Sequence, residues 1–424
     1  MPPIPACIPA SQRPPRVRLI PVLCCLVTLA VVLLLGGCGR PRGEVRVLTA
    51  EPILYVYAEY FNAQQDDIYI DVAYAENPIS FRNQPGSAPD LIIQRNPAGS
   101  YQTDWFRTLD ISLHPETYPQ LADHFRNETK SRMLPLSFSL PMIVWHEQQP
   151  GGSLPLTIGL QQLAELTETA QSNGRLTHIG FAPVWDSRVL LWHLRAHQVD
   201  LAFRQPGTPA WTPEETAAAV DEVRGWMDET LGSREELARF NDTYLYIPYY
   251  ALLRQGRIDY HPADLREFFA LPSSLRRELD FAWFGSNGRI PVPASIIYGA
   301  IPRRSDNPRA ARHFLEWLSQ PENQQALIAY TLDQQLPEFG FFGGFSALVA
   351  TNEQTIPATF REMQGKAPVA SRLQFPAPMP WYWSSLESQI LLPFLVDSVV
   401  QEEPPAPEVL PDRIESWLSR LGID

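Results

Sequence analysis

All four cysteines of this 424-residue chain, Cys7, Cys24, Cys25 and Cys38, fall within its first 38 residues. Everything downstream must therefore fold without a disulfide and depend on a buried core. Counted from Cys38 onward, 424 less 37 leaves 387 residues, enough for a large body of about two domains. Hydrophobic residues at 45% and aromatics at 11% are those of a chain able to fill such a core. Nothing after residue 40 is apolar for long enough to cross a bilayer as a helix.

The N-terminus reads as a targeting segment. Arg13, Arg16 and Arg18 precede Leu19 to Leu35, which carry no charge, and Leu35-Gly36-Gly37-Cys38 closes the run. A basic region, an apolar region and small residues before a cut make a secretory signal peptide. The cysteine directly after the small residues resembles the bacterial lipobox, which implies lipidation of Cys38 and its place as first mature residue. An uncleaved membrane anchor is the plainer alternative, but the run is short for a span and ends in glycines. We expect residues 1–37 as signal peptide and 38–43 as a lipidated tether.

Losing Arg13, Arg16 and Arg18 takes the net charge from −13 to about −16. So acidic a body is not expected to bind nucleic acid, whose phosphates need a basic face. Docking on anionic lipid by charge is disfavoured too, leaving acyl chains to hold the protein at a membrane. Lys130 and Lys366 are the two lysines, a bias to which we attach no functional meaning.

Strand and helix patterns alternate along the rest of the chain. Val45 to Leu48, Ile68 to Ala73 and Asp90 to Ile93 read as strands, and Ile53 to Phe61 has helical spacing. Leu134 to Trp145 is a long apolar stretch broken by Pro135 and Pro141, which suits a strand crossing between lobes at a sheet edge. Residues 150–156 read as a loop. Helical patterns follow at 157–171, 186–198, 213–230 and 233–240. Asp306-Asn-Pro308 begins a further helix, with proline in the first turn where its missing N–H costs nothing. An acidic, proline-rich connector at 402–411 precedes a final helix, 411–421. There is no internal repeat, and the alternation predicts an α/β fold with mostly parallel sheets.

Catalytic motifs are sparse. The chain has no P-loop, no Gly-x-Gly-x-x-Gly, no Gly-x-Ser-x-Gly and no His-Glu-x-x-His. Gly340-Phe-Phe-Gly343-Gly344 lacks the following lysine that a phosphate loop needs. His193 and His197 share a helix face by their spacing, but zinc would need a third ligand that the sequence does not name. Packing or surface roles are the ordinary reading of that pair, and no metal or cofactor is expected. Carboxylate pairs for glycoside hydrolysis come from separate strands, so spacing does not reveal them. Aromatics do gather in loop-like segments, at Trp185, Trp283-Phe284, Phe345 and Trp381-Tyr382-Trp383. Aromatic rings with polar neighbours line sites for uncharged amphipathic ligands, although any one of them could equally be core. Pro376, Pro378 and Pro380 hold the approach to Trp381 extended.

Several segments, in order, resemble the sugar-type extracellular solute-binding proteins of ABC importers, the maltose-binding-protein-like group. Glu59-Tyr-Phe-Asn62 with Asp67-Ile-Tyr-Ile-Asp-Val72 is similar to that family's opening, and Ala88-Pro-Asp-Leu-Ile-Ile93 to its "A-P-D-V" strand. Leu134 to Val144 resembles the hinge-crossing strand, and Gln255-Gly-Arg-Ile-Asp-Tyr260 stands where the family has "G-K-A-A-M". Ala300-Ile-Pro-Arg-Arg-Ser-Asp-Asn-Pro-Arg-Ala-Ala311, Phe314-Leu-Glu-Trp-Leu318 and Gln324 follow the family's late helix. The methionine of the "A-A-M" segment is missing, and the usual "T-W-x-E" helix start is only Pro155-Leu-Thr-Ile158.

The resemblance implies a periplasmic-binding-protein type II fold, two α/β lobes closing on a hinge. Lobe 1 would take 44–145 plus 290–342, and lobe 2 would take 146–289 plus 343–424. Carried over position by position, it implies ligand contacts at Glu51, at Gln94, Arg95 and Asn96, and at Trp185 and Asp186. Further contacts would come from Tyr260, His261, Trp283, Trp381, Tyr382 and Trp383. The implied function is a monomeric lipoprotein on the periplasmic or extracellular face, anchored through Cys38. It would capture a solute, carbohydrate by expectation, and deliver it to the permease subunits of an ABC transporter, without being an enzyme. A lipid-anchored glycan or peptide hydrolase and a degenerate sensor or adhesin remain as alternatives.

Overall fold

A computed structural model describes residues 43–79, 88–98, 104–127, 132–148, 154–205 and 207–423. The expected signal peptide, Cys38 and all of the tether except Gly43 lie outside the described residues. Among the described residues no helix is long and apolar enough to cross a membrane.

β1 (Gly43–Thr49) buries Val45, Val47 and Thr49 at alternate positions. α1 (Leu54–Gln64) lays Leu54, Tyr57, Ala58 and Phe61 on the core and returns the chain to β2 (Ile68–Tyr74), parallel to β1. β3 (Leu91–Arg95) joins the other edge of β1 in parallel, with Leu91, Ile92 and Ile93 fully enclosed, as a strand covered on both faces must be.

The apolar stretch expected as one long strand is two. β4 (Leu134–Phe138) belongs to the first sheet and β5 (Pro141–His146) to a second, so the chain changes sheets at Ser139 and Leu140. Pro141 opens the second of these strands, where it marks the break, whereas Pro135 sits within β4 opposite Tyr298. Both strands have neighbours on either side and are not the sheet edge expected.

The expected helix at 157–171 is also divided, into β6 (Thr157–Ile158), α2 (Leu160–Leu166) and a strand at Thr169–Ser172 that pairs with Arg175–Ile179. Gly159 separates the first two, and a Cβ there would lie 2.7 Å from the Gly285 carbonyl oxygen. α3 (Arg188–Ala196) and α4 (Pro213–Thr230) follow, the second opened by a capping box of Thr212 and Glu215. β7 (Tyr260–Asp264) runs directly into α5 (Leu265–Ala270), and β8 (Leu279–Phe284) completes the second sheet. The chain re-enters the first sheet as β9 (Ile297–Ala300), adds α6 (Pro308–Leu318) and α7 (Pro321–Asp333), and pairs β10 (Phe345–Ser346) with β4.

The sheets thus read β10-β4-β9-β3-β1-β2 and β7-β5-β8-β6. β9 is antiparallel to β3 and β4, and β5 is antiparallel to β7 and β8. The fold class is α/β, as the alternation predicts, but the expected mostly parallel sheets are mixed: in these two sheets three strand pairs are parallel and five antiparallel. The expected boundaries at 145/146 and 342/343 fall in β5 and just ahead of β10.

One carboxylate ties the first sheet to α6. Asp90 accepts from the Arg46 amide at 3.1 Å, and from the Asn307 amide and the Ser305 hydroxyl at 2.8 Å each. Burial alone would raise its pKa, but these donors hold it below the ordinary carboxylate range.

Candidate functional site

The two sheets leave a cavity of about 290 Å³ between them. The first lobe lines it with Arg95 at the end of β3, Ser137 to Ser139 at the end of β4, Ile297 and the 342–344 turn. The second contributes Arg188 and Trp192 from α3, and Asp264 and Arg266 where β7 meets α5. It also supplies Ser384, Glu387 and Ser388 from α8 (Trp383–Leu386) and the turn after it.

Arg188 is held by three carboxylates. It donates through Nε to Asp186 at 2.9 Å, through Nη1 to Asp264 at 2.7 Å and through Nη2 to Glu267 at 2.8 Å. Burial opposes its charge, but these acids hold it more firmly protonated than usual. Asp264 also caps α5, accepting from the Glu267 amide at 3.0 Å, so the helix start and the arginine share one anchor.

Glu51, 2% exposed, sits between Arg95 Nε at 3.2 Å and Arg266 Nη2 at 2.7 Å. Arg266 also donates to the Phe342 carbonyl at 2.9 Å. The glycine-rich stretch that sequence reading set aside as a phosphate loop is what makes this contact possible. Gly340, Phe342 and Gly343 have φ of 56°, 55° and 71°, and a Cβ on Gly343 would lie 2.4 Å from Arg266 Nε. Phe342, which is not a glycine, is kept in that sparsely populated region by packing on Tyr57 and by the Tyr57 hydroxyl, 3.1 Å from its amide.

Two polar groups of the cavity make no ion pair. Ser139 Oγ is enclosed with no hydrogen-bond partner. Glu387 lacks an arginine of its own, and burial pushes it up to about 7, against the opposing pull of Trp383 and Arg188. The three arginines face six carboxylates (Glu51, Asp186, Asp264, Glu267, Glu338 and Glu387), so the site has no surplus positive charge.

The residues expected from sequence scatter around this cavity. Arg95 lines it, while Glu51 and Asp186 stand behind it as partners of its arginines. Gln94 and Asn96 are buried, and Asn96, at φ 46°, donates to the Ala294 carbonyl and so braces the 293–295 wall. Trp185 donates to Asn241 at 3.0 Å and stacks on Phe240, while His261 stacks on Tyr249. Trp185 and His261 open on a separate surface pocket beside Tyr246.

Four positions are corrected. Trp283 is wholly enclosed on β8, packed on Phe281 and Phe345, and donates to the Lys366 carbonyl at 2.8 Å. Tyr260 is buried beside Trp145, and Tyr382 and Trp383 are buried against Phe203. These rings are core because their positions face the interior of their strand or helix. Of the triplet, Trp381 is half-buried, edge-on to Tyr382.

Sequence reading missed Trp192, Arg188, Arg266, Phe342 and Glu387. Trp192 was hidden in an ordinary amphipathic pattern, and Arg188 follows Asp186 by two residues. That Asp-x-Arg spacing was the one available signal.

No protein-family model and no curated protein matches the sequence. Among solved structures, the sugar-binding protein MalE of Xanthomonas citri is similar over 89% of this chain and 98% of its own, at 14% identity and a TM-score of 0.64. The fold is that of the maltose-binding-protein-like, two-lobed solute-binding proteins. CpMnBP1 with mannotriose bound shares this solute-binding fold over 88% of this chain and 99% of its own, at 14% identity and a TM-score of 0.62. The GacH receptor of Streptomyces glaucescens does so over 90% and 99%, at 14% identity and 0.61. The cavity described above lies between the two lobes of this fold.

Proposed function

We propose that this protein captures a saccharide between its lobes. The observation that carries the reading is an interlobe cavity lined by a hydroxyl without a partner (Ser139), a carboxyl whose pKa is raised to about 7 (Glu387) and an indole (Trp192), with its arginines already neutralised. An anionic solute would meet excess carboxylate, whereas sugar hydroxyls can both donate to and accept from such groups, and a ring face can lie on an aromatic. The relatives by fold support this: one was solved with mannotriose bound and another is a sugar-binding protein. A cavity of about 290 Å³ is at the small end for such sites and suits a short saccharide. Calorimetric titration of the chain from residue 39 against a panel of mono- to tetrasaccharides tests this. Silence toward every sugar, with a response to a peptide or a polyamine, would refute the carbohydrate reading.

The wider role proposed is that of a monomeric, lipid-anchored receptor on the periplasmic or extracellular face. Cys38 would bear the lipid after removal of 1–37, and the captured sugar would pass to an ABC permease. Metabolic labelling with a fatty acid in a bacterial host, lost on Cys38→Ser, tests the anchor. Neighbouring genes for two multi-span permease subunits would support the transport role.

One observation favours the hydrolase alternative: Glu387 keeps a proton near neutrality, as a general acid must. A glycosidase also needs a free second carboxylate, yet Glu51 and Asp264 are each bound to arginine. We therefore favour binding without turnover. Release of reducing ends from a bound oligosaccharide, abolished by Glu387→Gln, would reverse that choice.

A further inference from the structure

His193 and His197 lie on one face of α3 and its C-terminal end, with ring centroids 4.4 Å apart. α4 supplies what the sequence alone did not name, a third donor, Glu222. Its Oε2 is 3.1 Å from His197 Nε2 and 3.5 Å from His193 Nε2, and donor atoms of all three residues lie within 4.8 Å of one another. Zinc bonds of about 2.0–2.2 Å to nitrogen and oxygen place neighbouring ligand atoms of a tetrahedral site roughly 3.3 Å apart. The two edges to Glu222 bracket that spacing, and the third, between the histidines, is within 4.8 Å.

A hydrogen-bonded His–Glu cluster is the plain alternative, and His193 argues against it. The residue is only 4% exposed, and its Nε2 is enclosed and aimed at the cluster, where Glu222 Oε2, at 3.5 Å, is too distant to make a well-formed hydrogen bond. An unpaired imidazole nitrogen at such depth costs free energy unless something occupies its lone pair. The cluster also opens onto a cavity of about 490 Å³, bordered by Thr157, Gln162, Ser286 and Asn287, with room for water. It shares no lining residue with the interlobe cavity, although α3 reaches both: Arg188 and Trp192 at one, His193 at the other.

We propose that His193, His197 and Glu222 form a Zn²⁺ site with three protein ligands and one water-facing position. Two imidazoles and one carboxylate are the donor set that zinc favours and that hard cations such as Ca²⁺ do not. The ion joins α3 to α4 and thereby braces the helix that carries Arg188 and Trp192 to the cleft.

The test uses untagged, chelator-treated full protein. Equilibrium dialysis with Zn²⁺ followed by elemental analysis should give one ion per chain, and saturating Zn²⁺ should raise the melting temperature, while Ca²⁺ does neither. His197 and Glu222 are both partly exposed, so His197→Ala and Glu222→Gln should fold with metal-free melting close to the parent, and each should weaken Zn²⁺ binding at least tenfold. Co²⁺ should bind with the intense visible absorption of a tetrahedral site, and lose it in both variants. Zn²⁺ retention no greater than in a metal-free control, binding unaltered in both variants, or equal uptake of Ca²⁺ would each overturn the proposal.

Discussion

Glu51 of the first lobe and Arg266 of the second form an ion pair across the cleft, Oε2 to Nη2 at 2.7 Å. The pair joins the loop after β1 to the first turn of α5, elements 215 residues apart in the chain. Glu51 is almost fully buried and also accepts from Arg95, whereas both arginines keep about two-fifths of their side chains exposed. The contact therefore links the two lobes directly, and its worth is moderated by water at the arginine end.

Arg266→Ala should loosen that link between the lobes. In small-angle scattering the unliganded variant should show a larger radius of gyration than the parent, with melting lowered by the few degrees that about 1–2 kcal/mol represents. Identical scattering curves would show that the pair does not govern closure.

Arg95→Ala should act on the ligand more than on the fold. Arg95 borders the cavity, keeps 40% of its side chain exposed and has one ion pair to lose. A saccharide that binds the parent should bind this variant about tenfold more weakly, a change of about 1.4 kcal/mol, with melting nearly unaltered. Calorimetry beside a melting curve separates the two effects, and unchanged affinity would remove Arg95 from the site.

Trp383→Ala should unfold the protein more readily instead of merely weakening binding. The indole is 1% exposed and packs against Phe203, so truncation should cost about 3–5 kcal/mol in denaturant unfolding. A loss under 1 kcal/mol would contradict its place in the core.

Glu387 carries a pH signature. Its folded pKa, about 7, lies above the ordinary 4.5 because burial disfavours the charged form. The fold thus prefers the neutral carboxyl: this contribution is complete below about pH 4.5 and is lost as pH rises through 7. Glu387→Gln, which cannot ionise, should match the parent near pH 5 and exceed it at pH 8 by on the order of 2–3 kcal/mol. Parallel pH profiles for the two proteins would exclude the raised pKa.

How far the sequence could be read follows from the range of the interactions. β1, α1, β2, β3, α4 and α6 were legible because local periodicity and capping specify them: the alternation of Val45 and Val47, Thr212 with Glu215, Pro308 in a first turn. The change of sheet at Ser139-Leu140 was not, because an apolar run looks the same whether it stays in one sheet or enters another. Glu51 and Arg95 could be placed near a site only through the resemblance of their segments to the solute-binding proteins. Their partner Arg266, and Glu222 beside His193 and His197, could not, since those meetings depend on how separate elements pack.

The sequence by itself determined the α/β class, the cysteine-free core and most helices and strands, all encoded by neighbours within a few turns. Only the tertiary structure decided which tryptophans are core, which arginines are neutralised and where three zinc-type donors converge. Those outcomes turn on burial and distance between residues far apart in the chain, and side-chain chemistry at one position carries no record of either.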